Sequence, residues 1–251
     1  MQPEFYEPIF LKGSSKVGVL LIHGFTGTPK SVAPWAEGFN SAGYTAYVPR
    51  LAGHGSDWRE MRNSDWGDWL NSVDEALIDL ELQVDEVFVA GFSMGGALAL
   101  RLAELYPDRI SGLLLLNPTI YDNHIRMTLA KYLAPLVPSV KSEGTDVAKP
   151  GAPITSQQRL SVHAANSLHK FRHIVRRDLN LIQTPIKIFL SREDHVVPPS
   201  NGLLVANSVR SKRVEVTFFE QSYHVVALDY DADQLVAESN VFINSLVGAE
   251  I

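Results

Sequence analysis

Short apolar segments without polar alternation recur along the chain. Runs of this kind are typical of strands that are covered on both faces, as in a parallel sheet. They predict strands at residues 17–22, 45–48, 86–90, 112–116, 186–190 and 214–219. Between them, apolar residues at helical spacing predict helices at residues 31–42, 64–82, 94–106, 199–209 and 232–246. Strand and helix therefore alternate, which predicts an α/β fold with helices on both sides of an open sheet.

The stretch from residue 121 to residue 183 breaks this alternation. Its pattern predicts two or three helices and no convincing strand. It carries nine Lys/Arg against four Asp/Glu, a net charge of +5 where the rest of the chain has −11. Long insertions in compact domains are often active-site lids. We therefore expect one domain over residues 1–251 with residues 121–183 as an inserted cap, the alternative being a surface excursion packed on the body.

Composition excludes several classes of function. A chain of 251 residues with 45% hydrophobic content can bury one large core. The formal charge of −6 argues against a nucleic-acid partner. The absence of cysteine excludes disulfides, iron–sulfur clusters and thiol catalysis. No residue cluster has metal-site spacing, so we expect no metal.

The sequence gives little sign of targeting. Its start, MQPEFYEPIFLKGSSK, contains acidic residues and no long apolar run, unlike a signal peptide. No segment approaches the roughly 20 apolar residues needed to span a bilayer. We expect a soluble, cytoplasmic protein without an integral membrane segment, and its oligomeric state, monomer or homodimer, stays open.

The strongest chemical signal is GFSMG at residues 91–95, directly after the strand EVFVA and directly before the helix MGGALALRLAELY. In a Gly-x-Ser-x-Gly elbow the serine occupies a sharp strand-to-helix turn that presents its hydroxyl at the end of the sheet. The flanking glycines leave room for the backbone. We therefore predict that Ser93 is a nucleophile.

A serine hydroxyl is a poor nucleophile at neutral pH and needs a base held in the right tautomer. Asp194, in SREDHVVPP, follows the fifth predicted strand, and His224, in QSYHVVALDYD, follows the sixth. The chain order Ser, Asp, His is the one expected of an α/β-hydrolase. We predict His224 as general base and Asp194 as the residue that orients it, with His195 and Glu193 as their neighbouring rivals.

A developing oxyanion needs two backbone N–H donors. The loop HGFTGTP, residues 23–29, follows the first strand and places Phe25 as one donor. Met94, directly after the nucleophile and at the N-terminus of a helix, is the other. The alternative for the glycines of this loop is an ordinary tight turn. His54, in a Gly-His-Gly turn, either shapes the loop near the site or has a purely structural role.

The insertion also contains an apolar stripe. In MTLAKYLAPLVP, apolar residues recur at helical spacing at Leu129, Leu133, Leu136 and Val137. We predict that the three leucines contact an acyl chain, although packing against the sheet explains the pattern equally well.

Five separated blocks resemble the bacterial monoacylglycerol lipases and related carboxylesterases: LLIHGFTGTP, YVPRLAGHG, GFSMGG, EDHVVPP and SYHVVALDYD. The resemblance runs from about residue 17 to the C-terminus. It implies an α/β-hydrolase fold with a mostly parallel eight-stranded sheet, flanking helices and a small cap. It also implies hydrolysis of a small-molecule substrate, a monoacylglycerol or another short-to-medium acyl ester, without a cofactor. The same positions, Ser93, Asp194, His224, Phe25 and Met94, match the family's triad and oxyanion donors.

Substrate choice is less well predicted than chemistry. In similar lipases, an asparagine just after the strand preceding the cap helps to bind the glycerol part, and Asn117 occupies the matching place. A carboxylate that recognises glycerol in the family's cap has no clear counterpart in RLSVHAANSLHKF.

Other activities share parts of this pattern. A thioesterase or acyltransferase could use the same triad, and a non-catalytic ligand-binding protein could share the fold. Dehalogenases and epoxide hydrolases are weaker alternatives, because they use a carboxylate where this chain has Ser93. A peptidase of this fold would need an acidic anchor in the cap, where the acids are few: Asp122, Glu143, Asp146 and Asp178.

Overall fold

The computed structural model describes residues 6–55, 57–121, 137–142 and 144–247. The strands in these residues are β1 (Ile9–Leu11), β2 (Val17–Ile22), β3 (Thr45–Val48), β4 (Glu86–Phe92), β5 (Gly112–Leu116), β6 (Ser139–Lys141), β7 (Arg159–Ser161), β8 (Ile186–Ser191) and β9 (Val214–Phe219). The α-helices are α1 (Ala33–Ser41), α2 (Trp58–Arg62), α3 (Trp66–Glu81), α4 (Met94–Leu105), α5 (Val162–Asp178), α6 (Ser200–Ser208) and α7 (Ala232–Val247). Short 3₁₀ helices occur at Pro29–Val32, Leu179–Leu181 and Val226–Leu228.

The main sheet has the strand order β1-β3-β2-β4-β5-β8-β9. All neighbouring pairs in it are parallel except β1 with β3, which is antiparallel. The prediction of a mostly parallel sheet flanked by helices is thereby confirmed. The sheet has seven strands within the described residues, whereas the family resemblance implies eight. The sequence predicted six of these seven strands. Strand β1 was not predicted, because its three residues are too few to show a pattern of apolar and polar positions.

The packing of strand β2 shows why the central strands have unbroken apolar sequences. Its residues alternate between two apolar clusters, one on each face of the sheet. Leu20 and Ile22 join one cluster with side chains of α3, α4 and α5. Val19 and Leu21 join the other with side chains of α1 and α7. Because both faces are covered, every residue of β2 is buried. Burial of each of its Val, Leu and Ile side chains contributes roughly 1.5–3 kcal/mol to the stability of the folded protein.

The stretch at residues 121–183 contains a pair of strands that the sequence did not predict. Strands β6 and β7 pair antiparallel, so the expectation of no strand there is wrong. Their sequences, SVK and RLS, have no apolar run, and their pairing is set by contacts rather than by a local pattern.

Helix α5 of the insertion packs on the body of the protein. The ring of Phe171 is fully buried and stacks on that of Trp66, with centroids 5.5 Å apart. The backbone N–H of Trp66 donates to the hydroxyl of Ser167 at 2.9 Å. These contacts tie α5 to the start of α3.

The parallel strands place their carboxyl ends at one edge of the sheet. Ligands of open α/β sheets bind at this edge. Ser93 follows β4, Asp194 lies three residues after β8, and His224 lies in the loop after β9. The topology therefore gathers the three predicted catalytic side chains. Within the part of the chain that the structure describes, no helix combines the length and hydropathy needed to cross a membrane.

Candidate active site

Ser93 occupies a strained turn between β4 and α4. Its φ of 55° and ψ of −115° lie outside the regions that residues with a side chain normally adopt. Such a conformation costs about 1–3 kcal/mol and persists where surrounding bonds hold it. Here the N–H of Ser93 donates to the carbonyl of Leu116 at 2.9 Å, and the Ser93 carbonyl accepts from the N–H groups of Gly96 at 3.0 Å and Thr119 at 3.1 Å.

The glycines of GFSMG are required by close backbone contacts. A Cβ added at Gly91 would collide with the backbone of Gly95. A Cβ added at Gly95 would collide with the carbonyl of Ile22, at the end of the neighbouring strand β2. The motif therefore reflects the tight crossing of helix α4 over the ends of β2 and β4.

The side chains of Ser93, His224 and Asp194 form one hydrogen-bonded line. Nε2 of His224 lies 3.1 Å from Oγ of Ser93, and Nδ1 lies 2.7 Å from Oδ2 of Asp194. The Asp194 side chain is fully buried and that of His224 is 8% exposed. The rivals lie elsewhere: Nδ1 of His195 contacts Asp146 at 3.0 Å, and the Glu193 side chain is 68% exposed.

The surroundings of Asp194 fix the tautomer of His224. The other carboxylate oxygen, Oδ1, accepts from the N–H groups of Val196 at 2.8 Å and Val197 at 2.7 Å. Oδ2 is thereby aimed at the imidazole, where it accepts the Nδ1 proton. Nε2 is then left as the acceptor for the hydroxyl of Ser93.

Asn117 supports the loop that carries His224. Its Nδ2 donates to the backbone carbonyl of His224 at 2.9 Å and to Oγ of Ser191 at 3.1 Å. Its Oδ1 accepts from the N–H of Ser191 at 2.8 Å. Both amide hydrogens are thus engaged within the protein, and the side chain is 2% exposed. These contacts join Asn117 to the loop of His224, and glycerol binding by its amide stays a prediction that they do not support.

The loop at residues 23–29 lies directly against the nucleophile. A Cβ added at Gly24 would lie 3.2 Å from Cβ of Ser93. The N–H of Gly27 donates to the carbonyl of Gly24 at 3.1 Å, so the loop is a tight turn with Phe25 inside it. Met94 is the first residue of α4, where backbone N–H groups have no acceptor within the helix. The loop that contains Phe25 and the start of α4 at Met94 thus both lie next to Ser93, and the roles of the two N–H groups as oxyanion donors stay predictions.

Two buried histidines, His23 and His54, contact residues of this loop. Nδ1 of His23 donates to the carbonyl of Gly24 at 3.0 Å, and Nε2 accepts from the N–H of Leu51 at 3.4 Å. Burial lowers the pKa of His23 to about 4. Burial, with a smaller contribution from His23, lowers the pKa of His54 to about 3, and the two rings lie 5.3 Å apart. Both imidazoles are neutral at pH 7. Sequence reasoning gave His23 no role, although its place in LLIHGF, next to the oxyanion loop, was a usable signal.

A polar cluster from the insertion borders the same loop. The N–H of Gln157 donates to the carbonyl of Thr26 at 2.8 Å. Gln157 is 3% exposed, and neither its amide oxygen nor its amide nitrogen has a hydrogen-bond partner among the described residues. The hydroxyl of the neighbouring Ser156 is buried and unpartnered in the same part of the chain.

The predicted acyl-chain contacts are not described. Leu129, Leu133 and Leu136 lie outside the described residues, so their role stays a prediction. Val137, the last residue of that stripe, is 37% exposed. Among the described side chains, no group of three or more His, Asp or Glu residues is arranged to hold a metal ion.

Comparison with known proteins decides the family. Residues 13–231 match the Hydrolase_4 family model, whose description is serine aminopeptidase, S33. Over 244 residues the chain is 36% identical to a thermostable monoacylglycerol lipase of Bacillus sp. strain H-257, covering 96% of each chain. The chain belongs to the monoacylglycerol lipase and carboxylesterase family of α/β-hydrolases.

Further members of this family are similar over nearly the whole chain. A carboxylesterase of Bacillus subtilis strain 168 is 25% identical over 244 residues, covering 96% of this chain and 97% of its own. A solved structure from work on LipS and LipT, two metagenome-derived lipolytic enzymes, is 36% identical with a TM-score of 0.92. It covers 95% of this chain and 97% of that one. Family membership confirms the prediction of a carboxylic ester hydrolase.

Proposed function

We propose that the protein hydrolyses monoacylglycerols and short-to-medium-chain acyl esters through an acyl-enzyme formed on Ser93. The observation that carries this proposal is the hydrogen-bonded line from Ser93 through His224 to the buried Asp194. The substrate class rests on the extensive similarity to a protein named a monoacylglycerol lipase.

Acylation begins with attack of Ser93 on the ester carbonyl. As the bond from Oγ to the carbonyl carbon forms, Nε2 of His224 takes the hydroxyl proton. Asp194 stabilises the resulting imidazolium across the 2.7 Å contact. His224 then gives the proton to the ester oxygen of the leaving alcohol while the bond from carbon to that oxygen breaks. An alcohol departs and the acyl group stays on Ser93.

Deacylation repeats these steps with water. His224 takes a proton from water while its oxygen attacks the acyl carbon. Collapse of the second tetrahedral intermediate breaks the bond to Oγ, and His224 returns the proton to Ser93. The free fatty acid leaves, and the triad is restored.

The oxyanion of both intermediates accepts from the N–H groups of Phe25 and Met94. Support comes from the tight turn at Gly24 and Gly27 beside Ser93 and from the position of Met94 at the start of α4. Loss of one such donor typically costs about 3–4 kcal/mol of transition-state stabilisation. In this proposal residues 121–183 form a cap that shapes the acyl and alcohol pockets.

The test is a series of p-nitrophenyl esters with increasing acyl length, together with 1-monolauroylglycerol. The wild type is expected to cleave these substrates, and Ser93→Ala is expected to lose nearly all activity. Ser41→Ala is the matched control, because Ser41 is exposed on α1 and, among the described residues, its hydroxyl donates to the carbonyl of Glu37. An inactive wild type, or full activity in Ser93→Ala, would overturn the proposal.

An aminopeptidase is the second candidate, because the matching family model is described as a serine aminopeptidase. Such an enzyme needs a carboxylate free to bind a substrate amino group. Of the insertion's acids, Asp146 bonds to His195 and to the N–H of His224, and Asp178 pairs with Arg101 and Arg177. Both carboxylates are thus engaged, while Asp122 and Glu143 lie outside the described residues. Assays with aminoacyl p-nitroanilides test this candidate, and a matched pair of acyl thioester and oxyester tests the thioesterase and acyltransferase alternatives.

A further inference from the structure

A short part of the insertion, the docking segment (residues 144–149), contacts both loops that carry His224 and Asp194. Oδ2 of Asp146 accepts from the backbone N–H of His224 at 3.2 Å and from that of His195 at 3.4 Å. Oδ1 of Asp146 lies 3.0 Å from Nδ1 of His195, the residue after Asp194. One carboxylate therefore joins the loop after β8 to the loop after β9.

Further bonds attach the docking segment to the loop of His224. The backbone carbonyl of Asp146 accepts from the N–H of Val225 at 3.0 Å. The carboxylate of Asp229, which is 2% exposed, accepts from the N–H groups of Ala148 at 2.7 Å and Lys149 at 2.9 Å. The same carboxylate accepts from two N–H groups of its own loop, those of Tyr223 and Tyr230, both at 2.9 Å. Asp229 thus bridges the insertion and the loop of His224.

Both backbone polar groups of His224 are consequently held by side chains from other parts of the chain. Its N–H donates to Asp146 in the insertion, and its carbonyl accepts from Asn117, which follows β5 in the core. Loss of either contact would loosen the backbone of His224, whose imidazole must contact Ser93 and Asp194 at the same time. Misplacement of a catalytic group by about 1 Å can cost on the order of 100-fold in rate.

We propose that Asp146 is a positioning residue for the ester hydrolysis. The triad is aligned only while the carboxylate of Asp146 holds the docking segment against the loops that carry Asp194 and His224. This inference rests on the proposed function, because it assumes that His224 is the general base. It gives the insertion a role in catalysis that is separate from shaping the substrate pocket.

The charge of His195 strengthens the contact. Its ring is about half exposed and faces Asp146 at 3.0 Å, Glu193 at 3.8 Å and the ring of Tyr223, with centroids 4.5 Å apart. The hydrogen bond and charge of Asp146, with smaller contributions from Glu193 and Asp194, raise the pKa of His195. The ion pair between the His195 imidazolium and the Asp146 carboxylate therefore forms below this raised pKa and is lost as the pH rises through it, after which Nδ1–H can still donate a neutral hydrogen bond.

The test compares Asp146→Asn and Asp146→Ala with the wild type in kcat per active site. Active sites are counted by stoichiometric labelling of the serine with a fluorophosphonate. Asn keeps the volume of the side chain and can leave its oxygen on the N–H groups of His224 and His195, with its NH₂ group donating to an Nδ1 of His195 that carries no proton, whereas Ala removes all of these bonds. We expect kcat per labelled site to fall about 10- to 100-fold in Asp146→Ala and by a smaller factor in Asp146→Asn, while KM changes less than about twofold in both variants. The matched control is Asp85→Asn, which removes an exposed carboxylate paired with Lys16 at the opposite end of β4.

A second readout does not depend on turnover. The proton between Nδ1 of His224 and Asp194 should give a far-downfield NMR resonance, which we expect to shift or broaden in Asp146→Ala and to persist in Asp85→Asn. If Asp146 acted only on folding, the labelled fraction would fall while kcat per labelled site and the resonance stayed as in the wild type. That result would overturn the inference.

The two proposals fail in different ways. Full activity in Ser93→Ala would overturn the proposed function and this inference with it. Loss of activity in Ser93→Ala together with an unchanged kcat per site in both Asp146 variants would overturn this inference alone.

Discussion

Nδ1 of His224 lies 2.7 Å from Oδ2 of Asp194, and the aspartate side chain is closed to solvent. The opposite oxygen of Asp194 is held by the N–H groups of Val196 and Val197. An asparagine at this position would keep its oxygen on those donors and turn its NH₂ group toward the imidazole. Nδ1 would then become an acceptor and Nε2 would carry the proton, which is the wrong tautomer for a base.

Asp194→Asn should therefore lower kcat/KM at pH 7 by on the order of 10³- to 10⁴-fold without unfolding the protein. Glu193→Gln is the control on the adjacent residue, and its activity should stay within about twofold of the wild type. Ester hydrolysis by the two variants, with circular dichroism as a check of folding, tests this. The assignment is wrong if Glu193→Gln is the more damaging change.

Asn117 allows a test of positioning against glycerol recognition. Because its amide bonds to Ser191 and to the carbonyl of His224, Asn117→Ala should lower kcat on every ester by a similar factor. The measurement compares 1-monolauroylglycerol with p-nitrophenyl laurate, which has the same acyl group. A loss confined to the glycerol ester would instead support the glycerol role that the family resemblance implies.

The buried histidines predict a loss of stability in acid. Burial lowers the pKa of His23 to about 4 and that of His54 to about 3, below the ordinary value of 6.5. The unfolded chain therefore binds more protons than the folded protein as the pH falls from about 6.5. Each histidine then costs roughly 1.4 kcal/mol of unfolding free energy per pH unit until its folded pKa is reached.

His54→Gln should remove about half of this dependence. The free energy of unfolding in urea at pH 7 and pH 5 gives the comparison, and the difference should be about 2 kcal/mol smaller in the variant than in the wild type. His163→Gln removes an exposed histidine of α5 and should leave the difference unchanged. Equal pH dependence in all three proteins would mean that the buried imidazoles are not held neutral.

Replacement of the buried Gln157 by an apolar residue should stabilise the folded protein. A buried amide without partners costs about 1–3 kcal/mol, and leucine has a similar volume without that cost. Gln157→Leu should therefore raise the free energy of unfolding by about 1 kcal/mol or more. The neighbouring Gln158 is exposed, so Gln158→Leu should give no comparable gain. Destabilisation by Gln157→Leu would show that the amide has a hydrogen-bond partner outside the described residues.

The central strands and the candidate site at their ends could both be predicted from the sequence, and the physical reason is the same for both. Strands covered on both faces, such as β2, are unbroken apolar runs, and the motif residues follow directly after them. Short elements gave weaker signals. Strands β1, β6 and β7 have three residues each and no period, and α2 has five. Helix α2 nevertheless had a usable signal, because the Asp57 side chain caps it by accepting from the N–H of Arg59.

Long-range contacts were beyond the reach of pattern reasoning. Asp146 and His224 are 78 residues apart, and nothing local to either predicts their bond. The resemblance suggested glycerol binding for Asn117, whereas its bonds to two backbone segments appear only once β5, β8 and the loop of His224 are placed together. The catalytic roles of Ser93, His224 and Asp194 stay predictions, although their side chains meet at hydrogen-bond distance.

The most direct test of the account is the site of covalent modification. The protein is treated with a fluorophosphonate at pH 7, digested, and analysed by mass spectrometry. We predict one label per chain, on the peptide that contains Ser93, with loss of esterase activity in proportion to labelling and no label in Ser93→Ala. A label on another residue, or full activity after complete labelling of Ser93, would contradict the assignment of Ser93 as the nucleophile.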